Sequence, residues 1–386
     1  MCRILPNLFL VLLLFLFGCG GGEGGGTGTN TAGSATIVAV KFSAVSAGGN
    51  HTVALKPDGT LWTWGRNTSG QLGDGTNNSR NTPGQIGTDT NWDVISAGGD
   101  HTVVLKTDGT LWVWGLNTSG QLGDGTNNSI NTPEQIPSVT TWVAAAAGGS
   151  HTVALKSDGT LWTWGNNASG QLGDGTNNSR NTPEQIPSVV TWVAVSAGRN
   201  HTVALKSDGT LWIWGLNTSG QLGDGTNNSR NTPEQIISAV NWAAISAGGS
   251  HTAALKIDNT FWTWGNNVSG QLGDGTNNSR NTPGQIPSAI NWSKVSAGGD
   301  HSVALKTNGT LWTWGNNADG QLGDGTNNSR NTPGQIGIDT NWDAISAGGN
   351  HSTALKTDDT LWTWGDNAFG QLGNGTAADG LIPNQI

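Results

Sequence analysis

Apolar and polar residues alternate in short blocks that return every 50 positions. One copy contains WDVISA at Trp92–Ala97, HTVVLK at His101–Lys106 and TLWVWG at 110–115. These runs are rich in β-branched and aromatic residues, the composition of strands. Asp108-Gly109 stands between the second and third runs and predicts a hairpin turn. The segment 83–86, which opens with Pro83, reads as a short outer strand, because proline is tolerated at a sheet edge. No window carries a useful helical period.

The period holds along almost the whole chain. All seven histidines keep it, from His51, His101 and His151 through His201, His251 and His301 to His351, and so do the tryptophan pairs from Trp62/Trp64 to Trp362/Trp364. Phe42 stands where later copies have Trp92 and Trp142. In that frame the repeats span 37–86, 87–136, 137–186, 187–236, 237–286, 287–336 and 337–386. A fixed period of this size means a repeat architecture. Four strands in each of seven units predict an all-β fold, a seven-bladed β-propeller of four-stranded antiparallel blades. Blades pack face to face, so their middle strands are covered on both sides and read as apolar runs such as TVAL and LWTW. Ser96-Ala97-Gly98-Gly99 is small, as the crowded axis requires. Trp62 and Trp64 are two residues apart, so they share a sheet face, with Leu61 and Thr63 on the other. Tryptophans at one phase of the most apolar strand predict packing between blades in preference to a ligand platform.

The first 36 residues differ. The ten residues 8–17 (LFLVLLLFLF) suit a secretory signal and are too short to span a bilayer. LFGC at 16–19 resembles a bacterial lipoprotein signal. That resemblance implies a signal peptide at 1–18, lipidation of Cys19 and a glycine-rich tether over 19–36. Gly20 lacks the aspartate expected of inner-membrane retention, so an outer-membrane anchor is expected, its periplasmic or surface side left open. Cys2 is then lost with the signal, and the propeller holds no cysteine for thiol chemistry or metal binding.

Seventeen basic and 26 acidic residues give a net charge of −9, which disfavours phosphate backbones and therefore nucleic-acid partners. The histidines fall one per blade, on a ring too wide to share a metal, and are expected to hydrogen-bond backbone near a turn. The loops DGTNNS, Asp74 to Ser79 and copies, lack the alternating ligands of a calcium site and are expected to form turns. Arg80, Arg180, Arg230, Arg280 and Arg330 are expected at the rim beside Asp74-type carboxylates, with Ile130 breaking the set. Near-identical repeats contain no single nucleophile, base and orienting group. We therefore expect no enzyme, no cofactor and no metal.

The strings AGGNHTVAL, DGTLWTWG and NTSGQLG resemble the regulator-of-chromosome-condensation repeat family, over 37–386. The resemblance implies a seven-bladed propeller. Guanine-nucleotide exchange in this family needs a wedge inserted in one blade, and here every repeat is 50 residues. Ultraviolet sensing uses Gly-Trp-Arg-His-Thr loops, of which only Arg199 is an echo. A secreted bacterial propeller of this type inhibits β-lactamases, which makes inhibition of an extracytoplasmic enzyme a further implied role.

Function is sought where the copies disagree, because loops on a rigid scaffold carry it. One variable phase precedes each histidine. A second follows Trp-Gly, at Arg66, Leu116, Asn166, Leu216, Asn266, Asn316 and Asp366. A third lies at 68 and 69 and their copies, ending in Ala368 and Phe369, and a fourth at 87–91 and copies. These positions, with Arg199, are the candidate partner-binding loops. Leu116, Leu216 and Phe369 are expected as exposed apolar anchors. Drift at exposed sites after duplication would give the same variation, and the sequence leaves the two open. The expected function is a monomeric, lipid-anchored, extracytoplasmic scaffold binding another protein, with a glycan or cell-wall ligand as the alternative.

Overall fold

A computed structural model describes residues 40–137, 141–187, 191–236, 241–286 and 291–386. Cys19, the signal segment and the tether lie outside these residues. Seven antiparallel four-stranded sheets are arranged as the blades of a propeller. In blade 1 the strands are β1 (Ala44–Ala47), β2 (His51–Leu55), β3 (Leu61–Gly65) and β4 (Arg80–Ile86), hydrogen-bonded in that order. Every other blade repeats this order with its own four consecutive strands.

First strands pack against the first strands of both neighbouring blades, so they line the axis, and fourth strands form the rim. Three features of the sequence produce this wedge. Close to the axis the residues are small: a Cβ on Gly49 would stand 2.5 Å from the Gly99 carbonyl oxygen. Gly49 N donates to that neighbour's Gly98 carbonyl at 2.9 Å, and the same bond recurs around the ring until Gly349 N meets Gly48 O. In the middle, β2 and β3 are covered on both faces. One face of β3 presents Leu61 and Thr63 and the other Trp64, all at 0% exposure. At the rim, β4 shows its polar residues to solvent.

The tryptophans divide into three sets. Trp64 and its six copies are fully buried, and six of the seven indole N–H groups donate to the preceding blade, as Trp64 does to the Gln371 carbonyl at 2.9 Å, while the buried Trp264 Nε1 finds no acceptor among the described residues. The set from Trp92 to Trp342 is also buried, and Trp92 packs edge-on against Trp112 at 5.7 Å. Trp62 and its copies are only half-buried. Each carries a lysine ammonium over its ring, such as Lys56 Nζ at 3.5 Å from the Trp62 centroid, a cation–π contact. The expectation of a uniformly buried core therefore holds for Trp64 and its copies and is corrected for the Trp62 set. Those residues lie at the end of the blade where the chain turns at Asp58-Gly59 and the burying neighbour runs out.

Ring closure uses no strand exchange. Blade 7 joins blade 1 through Phe42 N to Asp359 O at 2.8 Å and a bridge between Lys41 and Thr360. The first of these has counterparts elsewhere, as in Trp142 N to Gly109 O at 3.2 Å.

Candidate interaction face

Antiparallel order puts the turns alternately at the two ends of each blade. The turn 48–50 and the long loop 66–79 share one end, the loop face. The hairpin at 56–60 and the linker 87–91 share the other. Three of the four variable phases (50, 66 and 68–69 with their copies) therefore meet on the loop face, and the fourth lies opposite. The copies of that fourth phase at 138–140, 188–190, 237–240 and 287–290 lie outside the described residues.

Beneath the loop face runs a closed circuit of histidines. His51 Nε2 is 3.0 Å from Oγ1 of Thr102 in the next blade, and that hydroxyl donates to the Gln71 carbonyl at 2.8 Å. A threonine hydroxyl has one hydrogen. It is spent on Gln71, so the hydroxyl accepts and His51 is the Nε2–H tautomer. The pattern repeats through His101–Thr152, His151–Thr202, His201–Thr252, His251–Ser302, His301–Ser352 and His351–Thr52. All seven rings are fully buried, and burial lowers their pKa values to about 3 or 4. The histidines bond to a hydroxyl across the blade interface, where the sequence suggested backbone near a turn. The signal was present in the His-Thr or His-Ser pair of every repeat.

The loop 66–79 is held from inside by Asn67. Its Nδ2 reaches Asp74 Oδ1 and the Thr76 carbonyl, both at 3.1 Å, and its Oδ1 accepts from Leu72 N at 2.9 Å. Asp74 Oδ1 also caps Thr76 N, and its second oxygen meets Arg80 at 3.2 Å. Arg180, Arg230, Arg280 and Arg330 pair with the matching aspartates. In blade 3, burial raises the Asp174 carboxyl, but Arg180, Thr176 and Asn167 more than offset it and leave it below its usual pKa. The Asp74-type carboxylates are thus committed to turns and, in five of the six blades that have one, to rim arginines. Among the described residues no cluster of three or more histidine, cysteine, aspartate or glutamate side chains could hold a metal.

Models of the regulator of chromosome condensation (RCC1) repeat match 58–105, 108–155 and 158–205, and a second such model matches 42–71, 93–121 and 142–171. The RCC1-like domain model matches 184–386, more than half of the chain. The chain belongs to the RCC1-like family. No curated protein matches it in sequence. Its fold is similar to that of human WBSCR16, at TM-score 0.77 and 23% identity over 85% of this chain and 93% of that one. It is similar also to yeast RCC1 (Prp20) bound to Kap60, at TM-score 0.75 and 21% identity over 93% and 89%. A structure of Prp20p from Saccharomyces cerevisiae, described with its binding properties to Gsp1p and histones, has TM-score 0.75 and 22% identity over 90% and 87%. These likenesses concern the fold.

On this RCC1-like propeller the candidate residues are placed as follows. Arg66 is half-buried. Its guanidinium lies 3.6 Å from Asp100 of blade 2 and 5.2 Å from the Phe369 ring of blade 7, so three blades meet at one side chain. Phe369 is 39% exposed. Asn266, Asn316 and Asp366 each cap their own loop, accepting from the amide two residues on. Asn166 does so too and also accepts from Gln171. Leu116 and Leu216 are half-buried, which corrects their expected role as exposed anchors. Their backbone amides are tied to the Asp100 and Asn200 carbonyls at 2.8 Å, and this holds the position against the inner turn whatever side chain it carries. An exposed apolar residue of this face that the sequence reading did not name is Val268, at 72%. Its signal was being the one branched aliphatic at its phase. Arg199 is exposed beside the axis, where the other six blades have glycine.

The loop face is also uneven in charge. Burial, with Asp366 and Asp379 nearby, raises the Asp319 pKa. Three carboxylates, Asp319, Asp366 and Asp379, thus neighbour one another where blades 6 and 7 meet.

Proposed function

We propose that this RCC1-like propeller is a lipid-anchored, extracytoplasmic scaffold that binds another protein through its loop face. One observation carries the reading: three of the four variable phases converge on that face, around the Arg66–Asp100–Phe369 junction. The frame beneath is repeated seven times, and its histidines and loop aspartates are engaged in holding the blades. A partner without sevenfold symmetry must read the departures from repetition. The same engagement argues against catalysis, which needs free groups in one asymmetric set. The lysines over the Trp62 set argue against an aromatic sugar platform on the opposite face. Yeast Prp20 captured with Kap60 supports protein binding as a use of this architecture. The lipid anchor and the envelope location rest on LFGC at 16–19.

Two measurements test the proposal. Cys19→Ser should move the chain from the membrane to the soluble fraction, and unchanged fractionation would overturn the anchor. Capture from detergent-solubilised envelope should recover a partner that Arg66→Ser/Phe369→Ser loses and that Ile257→Ser/Ile338→Ser, on the opposite face, retains. Retention by the first pair and loss by the second would overturn the assignment of the face.

A further inference from the structure

Two departures from sevenfold repetition fall at a single blade interface, between blades 3 and 4. The first is an amide without its usual acceptor. Along the axis, the serine of each first strand accepts from the alanine amide of the next blade: Ala47 N from Ser346 Oγ, Ala97 N from Ser46, Ala147 N from Ser96, Ala247 N from Ser196, Ala297 N from Ser246 and Ala347 N from Ser296, at 2.9–3.0 Å. The seventh position is Ala146, which has no hydroxyl, so the Ala197 amide lacks the acceptor that its six counterparts have. Ala197 pairs with Thr202 at the end of its strand, and its N–H points away from that ladder toward blade 3, as in the other blades. It is half-buried, while five of its counterparts are buried.

The second departure is Arg199, two residues on. The equivalent position is glycine in the other six blades, and a Cβ on Gly49, Gly99, Gly249, Gly299 or Gly349 would stand 2.4–2.5 Å from a carbonyl oxygen of the next blade. The geometry discourages a side chain here, yet blade 4 carries an arginine. Arg199 leans back over blade 3, with its Cγ 3.1 Å from where a Gly149 Cβ would be. That is the blade whose Ala146 withholds the hydroxyl. Among the described residues no carboxylate forms an ion pair with Arg199.

We infer that Arg199 and the Ala197 amide form a carboxylate-binding site at the mouth of the axial channel, between blades 3 and 4. A guanidinium two residues from a backbone N–H that lacks its usual acceptor offers charge-assisted hydrogen bonds to a carboxylate. The carboxylate can come from a small organic acid or from a peptide, as its C-terminus or an acidic side chain. The site does not depend on the protein-binding reading above.

The test uses the full chain in detergent, labelled with 15N-alanine, with the Ala197 amide resonance as the readout. The probes are acetate, triglycine as the free acid, triglycine amide and inorganic phosphate, against chloride at equal ionic strength. Acetate and triglycine acid should shift Ala197 saturably, with the amide form silent. Tighter binding of triglycine acid than of acetate assigns the site to peptides, and the reverse to small acids. Arg199→Gly should weaken binding about tenfold or more. Ala146→Ser should suppress the Ala197 shift by supplying the missing acceptor. Both variants restore what the other blades have, so folding is expected to be preserved, with the remaining alanine resonances unmoved. An Ala197 resonance insensitive to acetate, equal binding by Arg199→Gly, or a response to phosphate and not to acetate would overturn the assignment.

Discussion

His351 Nε2 lies 3.0 Å from Oγ1 of Thr52, 299 residues earlier in the chain. That bond completes the histidine circuit across the interface between the last blade and the first. Thr52 passes its own proton to the Gln371 carbonyl at 2.9 Å, and Trp64 donates to the same oxygen. Removing the hydroxyl leaves a buried N–H and weakens a carbonyl's hydrogen bonding. Thr52→Val is expected to cost about 1–3 kcal/mol, measured by urea denaturation. The equivalent Thr202→Val should cost a similar amount, because its environment is the same. A much larger loss at Thr52 alone would show that the closing interface is the weakest.

The same circuit predicts acid sensitivity. In the folded chain the imidazoles stay neutral down to pH 3 or 4, whereas an unfolded histidine takes up its proton near pH 6.5. The unfolded state therefore binds more protons below that value. Stability is complete above about pH 6.5 and falls as pH drops toward 4. Each histidine contributes a slope of about 1.4 kcal/mol per pH unit in that window, and there are seven. Acid unfolding followed by tryptophan fluorescence should be steep, with its midpoint above pH 4 and with uptake of several protons. A native signal that persists to pH 3 would contradict this.

Truncating the two tryptophans of one strand should give unequal losses. Trp164 is fully buried and donates to the Gln121 carbonyl at 3.0 Å, so Trp164→Ala is expected to cost about 3–5 kcal/mol. Trp162 is half-buried under Lys156, and its loss should be clearly smaller. Iodide should quench part of the native fluorescence, from the Trp62 set, and leave the rest.

Chelation should change nothing. Asp174 Oδ1 accepts from Thr176 N, Thr176 Oγ1 and Asn167 Nδ2, which places the carboxylate inside its turn. Neither EDTA nor added calcium should shift the melting temperature. Asn167→Ala should lower it, since one buried amide links Asp174, Thr176 and Leu172.

Much of this was legible in the sequence because repetition amplifies weak signals. A lone Trp-x-Trp says little, but seven at one phase, four of them preceded by Asp-Gly, define a blade. The shared face of Trp62 and Trp64 followed from strand alternation. The half-burial of Trp62 did not, because exposure depends on how far the neighbouring blade extends. Leu116 and Leu216 looked like anchors by residue type, yet their burial is set by a backbone bond to the preceding turn. The histidine circuit was hidden because it joins residues 51 positions apart, a separation that within-repeat periodicity does not reveal. Arg199 stood out in the sequence, but Ala146 did not, because its missing hydroxyl matters only where the ring sets it against the Ala197 amide.

Each blade is one uninterrupted stretch of chain, and the interface between blades 7 and 1 holds with no peptide bond across it. The covalent thread joining the other blades is thus dispensable for shape. A rearranged gene that begins at Thr88 and fuses Ile386 to Lys41 through a short spacer would meet the same neighbours at every boundary. On such a wheel the numbering has no privileged origin, because every junction is built from the same histidine–hydroxyl contact.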